Sequence, residues 1–142
     1  MSVDIDRVRQ RAEYVRRQVA ALRAVPLRMQ RAAFVVDPYV PSAVRYQLQT
    51  SIEALIDLAY HHSAKLAQHA PQDARDAFVT MAQQGILDVA NLPRYHAMLR
   101  FRNRVVHGDL DVDNGTLYHM ISGQDLQDLE SVLAQFETAA GA

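Results

Sequence analysis

Apolar residues recur at intervals of three and four along most of this chain. In residues 3–24 the repeat comprises Ile5, Val8, Ala12, Val15, Val19 and Leu22. This spacing places the side chains on one face of an amphipathic helix. No segment alternates polar and apolar residues with the period of two that a half-buried strand requires. The pattern therefore predicts an all-α protein.

Prolines, glycines and capping residues divide the pattern into separate helices. A proline in a helix interior breaks the backbone hydrogen bonding, so we expect the first helix to end near Pro26. The expected later helices cover residues 27–36, 42–68, 71–85, 91–108 and 114–138, with Ser122-Gly123 as a weak point in the last one. These segments predict a helical bundle of about five to six helices, in one domain over residues 1–142.

Composition narrows the class of protein further. The 142 residues include no Cys, which excludes disulfides, thiolate metal sites and thiol catalysis. No run of 18 or more apolar residues occurs, and charged residues interrupt the N-terminal segment. We therefore expect a protein of the cytoplasm with no membrane association.

The basic residues are distributed unevenly, although the net charge is only -1. Residues 1–31 contain eight arginines against Asp4, Asp6 and Glu13. A second basic cluster comprises Arg94, Arg100, Arg102 and Arg104. Arginine binds phosphate with two parallel hydrogen bonds, so each cluster is a candidate for contact with a phosphodiester backbone. Ordinary solvated helix faces are the alternative, and we favour that alternative for the N-terminal cluster.

Candidate chemistry is concentrated in the segment from Arg100 to Asp109. Cleavage of RNA without a metal needs a base for the 2′-hydroxyl, an acid for the leaving 5′-oxygen and a cation for the phosphate. Histidine ionises near neutral pH and can act as base or acid, while arginine stays charged. We therefore predict Arg102 and His107 as catalytic residues with Asn103 beside them, and Arg94, Arg100 and Arg104 as RNA contacts.

Helix geometry places a constraint on this pair. On an ideal helix, residues 102 and 107 are about 140° apart around the axis and about 7.5 Å apart along it. They do not share a face. Either the helix relaxes near Gly108 and His107 turns back, or a second copy completes the site across a twofold axis. We favour a homodimer, in which two copies of Arg102 and two of His107 surround one cleft.

The segment Phe-Arg-Asn-x-x-Val-His, which begins at Phe101, resembles the R-x4-H motif of HEPN ribonucleases. Further segments resemble the HepT-like branch of that family, and the resemblance extends over nearly the whole chain from about residue 30. These segments are Tyr46 to Glu53, Phe78, Gly85-Ile86, Met98 to His107, Leu117-Tyr118 and Asp125-Leu126.

The resemblance implies a HEPN helical bundle that acts as the toxin of a toxin–antitoxin pair. Such proteins are homo-oligomeric endoribonucleases that need no metal or other cofactor, and their motif residues correspond to Arg102 and His107, with Asn103 adjacent. Their antitoxin is typically a minimal, MntA-like nucleotidyltransferase, which adds AMP to a tyrosine two residues after the histidine. That position is Asp109 here, so modification at this site is excluded. Neutralisation by complex formation, or modification of another tyrosine such as Tyr118, stays open.

Other interpretations remain at this point. The chain could be a HEPN module without catalysis that partners or regulates a nucleotidyltransferase, or a helical scaffold with no active site. Asp57 and His61 have the i, i+4 spacing of a metal-ligand pair, but no second pair matches them, so no metal site is expected. His69, His96 and His119 are expected at the surface or an interface.

Overall fold

The computed structural model describes residues 2–108 and 112–142. Over these residues the chain forms seven α-helices and one 3-10 turn, Val89–Asn91, and contains no strand. The helices are α1 (Ile5–Arg28), α2 (Arg31–Val36), α3 (Val40–Leu66), α4 (Ala74–Gln83), α5 (Leu92–Val106), α6 (Asn114–Ile121) and α7 (Gln124–Ala140). The all-α prediction is confirmed.

The expected number of five to six helices is too low by at least one. The last predicted helix is two helices, because α6 ends at Ile121 and α7 begins at Gln124. The break falls at Ser122-Gly123, where Gly123 is the N-terminal cap of α7. Glycine is a poor residue for a helix interior, since its backbone loses the most freedom on ordering.

Pro26 does not end the first helix, as the sequence had suggested. It lies in the last turn of α1, which continues to Arg28, and the Met29 amide still donates to the Val25 carbonyl at 2.9 Å. Near a helix end, a proline sacrifices a single intrahelical hydrogen bond without interrupting a longer run. The second helix therefore starts at Arg31 rather than at residue 27.

Helix α3 is the centre of the bundle. It contacts each of the other six α-helices. Its inward face includes Leu48, Ile52, Leu55 and Leu58, all of which are buried in one hydrophobic cluster with residues of the surrounding helices. The position of α3 matters for the site, because α4 and α5 pack side by side against it.

The arginines of α1 mostly form ion pairs within the fold. Arg7 and Arg11 both bind Asp57 of α3, at 2.6 and 3.1 Å. Arg16 pairs with Glu137 and Arg23 with Glu130, both on α7, and Arg17 pairs with Glu13 within α1. This basic cluster therefore helps to attach α1 to its neighbours.

The Asp57–His61 pair has a structural role in the same region. Asp57 is occupied by the two arginines of α1, and His61 Nε2 accepts a hydrogen bond from the Asp4 amide at 2.8 Å. Among residues 2–108 and 112–142, no group of three or more acidic or histidine side chains has an arrangement suited to a metal ion. Nor does any described helix have the length and apolar character needed to cross a membrane.

Candidate active-site cleft

A cleft of about 390 Å³ opens between α3, the start of α4 and α5. Its walls bring together three arginines and a histidine from segments that are distant in sequence. The lining residues are Tyr60, Gln72, Asp73, Ala74, Arg75, His96, Leu99, Arg100, Arg102 and Asn103. Two of the three predicted catalytic residues, Arg102 and Asn103, thus belong to one cavity.

One face of helix α5 contributes side chains to the cleft, and another face contributes side chains to the hydrophobic core. His96, Arg100 and Asn103 follow the i, i+4, i+7 spacing that aligns side chains along a helix. Tyr95 and Met98 lie on the other side and are buried in the hydrophobic cluster. The core contacts therefore fix the rotation of α5, and this rotation aims the polar residues into the cleft.

Neighbouring groups use only part of the hydrogen-bonding capacity of Arg102. Its Nη1 donates to the Asn103 side-chain oxygen at 3.0 Å. Its Nε lies 3.4 Å from Glu53 Oε2 of α3, which is an ion-pair distance, but the geometry does not make a hydrogen bond and this buried Nε has no hydrogen-bond partner. The guanidinium is held in place while retaining donor capacity for a ligand.

His96 is buried in the cleft wall, which corrects the prediction of a surface or interface position. Its side chain is 9% exposed, and its Nε2 is buried without a hydrogen-bond partner. Burial, together with the positive charges of Arg75 and Arg100, lowers the pKa of His96. The imidazole is therefore neutral at neutral pH.

His107 lies outside this cleft. It caps the C-terminus of α5, is exposed, and its amide donates to the Asn103 carbonyl at 3.0 Å. The next residue, Gly108, has a φ of +71°, a left-handed conformation that glycine adopts without steric cost. The structure therefore places Arg102 and Asn103 together but does not bring His107 of the same chain into their cavity.

The predicted RNA contacts have different surroundings. Arg100 lines the cleft, whereas Arg94 forms an ion pair at 3.1 Å with the nearly buried Asp128 of α7. Arg104 is exposed on the last turn of α5.

The two candidate regulatory residues also differ. The Tyr118 hydroxyl donates to the Met29 carbonyl at 2.9 Å, and its ring packs against Phe34 with centroids 5.2 Å apart. Asp109 lies outside the described residues. Among the remaining histidines, His69 contacts Asp76 at 2.9 Å and His119 is exposed.

Sequence reasoning missed part of the cleft. The alignment of His96 with Arg100 and Asn103 at helical spacing was a usable signal, because it is visible within α5 alone. Arg75 and Glu53 gave no such signal, since only the packing of α4 and α3 brings them next to α5.

Most of this chain matches a known protein family. The family model described as "Ribonuclease HepT-like" matches residues 6–136. This chain belongs to the HepT-like ribonuclease family. A curated relative, the mRNA nuclease HepT of Shewanella oneidensis, is 27% identical over 100 residues, which cover 70% of this HepT-like chain and 74% of the relative.

Solved structures share the fold of this HepT-like protein. A toxin–antitoxin structure with AMP-PNP superposes with a TM-score of 0.83 at 22% identity, covering 94% of this chain and 98% of the other. A tri-AMPylated HEPN toxin of Shewanella oneidensis in complex with its MNT antitoxin gives the same TM-score, identity and coverage. A mutant MntA–HpeT toxin–antitoxin structure gives 0.81 at 23% identity, again covering 94% and 98%. The HEPN fold class is thereby established for the chain.

Proposed function

We propose that this HepT-like protein is a metal-independent endoribonuclease toxin whose catalytic residues are Arg102 and His107, assisted by Asn103. The single observation that carries the proposal is the position of Arg102. Its guanidinium lines a cleft with Arg75 and Arg100, and its buried Nε has no hydrogen-bond partner. A phosphodiester is the ligand whose charge and oxygen atoms such a group of cations fits.

The proposed chemistry is an internal transfer at phosphorus. One His107 removes the proton from the 2′-hydroxyl, and the 2′-oxygen attacks the adjacent phosphorus. The bond from phosphorus to the 5′-oxygen breaks, and a second His107 gives that oxygen a proton. Arg102 binds the non-bridging oxygens, on which negative charge grows in the transition state. The products are a 2′,3′-cyclic phosphate and a free 5′-hydroxyl.

A homodimer supplies what one chain lacks in this proposal. His107 is exposed at the end of α5 and does not line the cavity that holds Arg102. Beside it, the apolar side chain of Val106 is 48% exposed, which is consistent with a contact surface at the end of this helix. A twofold axis near this end would bring two copies of His107 towards each other, and each towards an Arg102.

The proposed partner is a nucleotidyltransferase antitoxin that silences the toxin in the cytoplasm by forming a complex. Support comes from the solved proteins of this fold, which were determined as toxin–antitoxin assemblies. Complex formation is favoured over AMP transfer two residues after His107, because the residue there is Asp109. We expect growth arrest on expression of the chain alone, and rescue by an adjacent nucleotidyltransferase gene without a gain in the mass of the purified toxin.

The experiment that tests catalysis is cleavage of a mixed RNA pool in EDTA. We expect the wild type to cut, and Arg102→Ala and His107→Ala to lose activity while melting at the wild-type temperature. Arg9→Ala and His119→Ala are matched controls, because both side chains are exposed on other helices. Cleavage that survives in folded His107→Ala, or that requires a divalent metal, would contradict the proposal.

The inactive HEPN module is the second candidate. It is favoured by the separation of His107 from the cleft and by Asp109 at the usual tyrosine position. This candidate predicts that no RNA in the pool is cut, while the nucleotidyltransferase still binds.

A further inference from the structure

We propose that the cleft beside Arg102 is a nucleotide subsite, in which His96 Nε2 hydrogen-bonds an RNA nucleotide flanking the cut and Arg75 and Arg100 bind its phosphate. This inference rests on the proposed function for its substrate class. It adds His96 and Arg75 to Arg100, which the sequence already predicted as an RNA contact, and none of the three belongs to the R-x4-H motif.

The first argument is the distribution of unpartnered polar atoms. In the described parts of the chain, three buried side-chain nitrogens lack a hydrogen-bond partner: Arg45 Nε, His96 Nε2 and Arg102 Nε. Two of the three belong to residues of this one cleft. Buried polar groups in folded proteins are almost always satisfied. Arg102 Nε still has the Glu53 carboxylate at 3.4 Å, whereas His96 Nε2 has no partner among the described residues, which indicates that a ligand supplies one.

The second argument is charge. Arg75, Arg100 and Arg102 line the cavity, and Asp73 is the acidic residue of the lining. Asp73 is the N-terminal cap of α4, where its Oδ1 accepts the Asp76 amide at 2.7 Å. Two further carboxylates contact lining residues: Glu53 of α3 lies against Arg102, and Asp76 accepts the Gln72 amide. Three arginines against the one carboxylate that lines the cavity leave its lining positive, and the N-terminus of α4 adds a partial positive charge.

The third argument is size and mixed character. A volume of about 390 Å³ lies within the usual range of small-ligand pockets, and it is large enough for one nucleotide but not for a folded helix of RNA. Leu99 and the partly buried Tyr60 provide apolar surface beside the arginines. A ribose or base can pack there while its phosphate contacts the cations.

The role of His96 in this subsite differs from that of His107. A neutral imidazole carries one donor nitrogen and one acceptor nitrogen, so it can recognise a base edge without adding charge. A phosphate bound between Arg75 and Arg100 would offset the two charges that act on the imidazole. A hydrogen bond to Nε2 and this change in local charge should both alter the NMR signals of the His96 side-chain nitrogens when an oligonucleotide binds.

The other titratable and charged groups that line this cavity also affect the His96 imidazole in that measurement. They are Tyr60 from α3, Asp73 and Arg75 from the start of α4, and Arg100 and Arg102 from α5. The His96 signals can be followed during titration with the oligonucleotide, with His119 as an internal reference.

The binding test uses a short single-stranded 2′-O-methyl oligoribonucleotide, which has no free 2′-hydroxyl and cannot be cut by the proposed reaction. We expect His96→Leu to weaken affinity about fivefold, the loss of one hydrogen bond. Arg75→Gln and Arg100→Gln should each reduce the slope of log affinity against log salt by about 0.7, the loss of one phosphate contact to a single strand. His119→Gln and Arg9→Gln are the matched controls and should bind like the wild type.

Stability and kinetics separate binding from a packing role. Because His96 Nε2 has no partner in the protein, His96→Leu should melt no lower than the wild type, and its KM for RNA should rise while kcat is retained. A lower melting temperature with unchanged affinity would instead make His96 a packing residue and overturn the proposal. His96→Gln and the two arginine variants provide the same binding test if the leucine variant does not fold.

The outcomes also distinguish this inference from the proposed function. Unchanged affinity and unchanged salt dependence in all subsite variants, with RNA cleavage intact, would overturn the subsite and leave the nuclease in place. Failure of the wild type to cut any RNA, with affinity for the probe still dependent on His96 and Arg75, would support the subsite and contradict catalysis. A wild type that does not bind the probe at all would overturn the subsite.

Discussion

Glu53 and Asn103 both contact the guanidinium of Arg102. Glu53 approaches the guanidinium from α3 at 3.4 Å, while Asn103 contacts the other side of the same group at 3.0 Å. Neither residue uses all the donors of Arg102. The two contacts restrict the rotation of the guanidinium and leave part of it available to a phosphate.

Replacement of Glu53 by Gln should therefore impair catalysis more than folding. We expect kcat for RNA cleavage to fall about tenfold, because a misplaced catalytic cation is costly even when it remains in the site. The free energy of unfolding should change by less than about 1 kcal/mol, as is usual for partly exposed ion pairs. Cleavage kinetics and thermal melting check the two effects.

The control for this variant is Glu13→Gln, which removes the exposed ion pair with Arg17 on α1. It should leave both kcat and stability near wild-type values. If Glu53→Gln and Glu13→Gln cleave RNA equally fast, Glu53 has no positioning role.

The predictability of the site also depends on where each residue lies. The sequence pointed to Arg102 and Asn103 because they lie in one short segment that combines arginine, amide and histidine side chains and resembles a known motif. It placed His96 incorrectly, since the depth of a residue in a bundle depends on what packs over it. Glu53 and Arg75 come from other helices, and no spacing within α5 points to them.

At the level of elements, Asp57 joins α1 to α3. Burial alone would raise the pKa of this carboxyl group, but hydrogen bonds and charge from Arg7 and Arg11 outweigh burial, and the net effect lowers the pKa. A carboxyl group with a lowered pKa in the folded state stabilises the protein above its unfolded pKa of about 3.9. That contribution is lost as the pH falls through the folded pKa.

Asp57→Asn tests this contribution. At neutral pH we expect a loss of about 1 kcal/mol, which corresponds to a fall of roughly 4 °C in the melting temperature. The difference from the wild type should shrink on acidification below about pH 4 and disappear once Asp57 is protonated in the folded protein. Melting curves from pH 3 to pH 7 measure it, and a difference independent of pH would show that the arginine contacts do not stabilise the ionised form.

One hydroxyl group links α6 to the end of α1 by a hydrogen bond. Tyr118→Phe removes the hydrogen bond to the Met29 carbonyl but keeps the ring against Phe34. We expect a loss of about 1 kcal/mol in the free energy of unfolding and no change in RNA cleavage. Denaturant unfolding and cleavage assays check this.

Tyr118→Phe also tests whether Tyr118 is the site at which an antitoxin regulates the protein. If Tyr118 accepts AMP from the antitoxin, Tyr118→Phe will escape modification and its toxicity will persist when the antitoxin is expressed. Normal neutralisation of Tyr118→Phe would exclude this tyrosine as the regulatory site.

The helices were predictable because their hydrophobic periodicity is a strong and local signal. The ends of the helices were less predictable. Pro26 fell inside α1, since a proline in the last turn interrupts little backbone bonding. The division of the last segment at Ser122-Gly123 was visible only as a weak point, because glycine permits a break without requiring one.

At the scale of the whole molecule, the proposed homodimer makes a quantitative prediction. If one site needs His107 from both chains, mixing equal amounts of wild type and His107→Ala under exchange should leave about one quarter of the wild-type activity, the fraction of dimers with two intact chains. Chains that act alone should retain about one half. A cleavage assay on mixed and re-equilibrated subunits, with Arg9→Ala as the mixing control, decides between them.

The two faces of α5 have a genetic consequence. Tyr95 and Met98 pack in the core, while His96, Arg100 and Asn103 line the cleft. If the chain is the proposed toxin and cells that carry its gene alone are selected for survival, escape mutations should collect along α5 on both faces. Those on the core face should reduce the amount of protein, and those on the cleft face should leave an abundant but harmless one. Survivors of the second kind would identify the RNA-binding surface without any prior assumption about its residues.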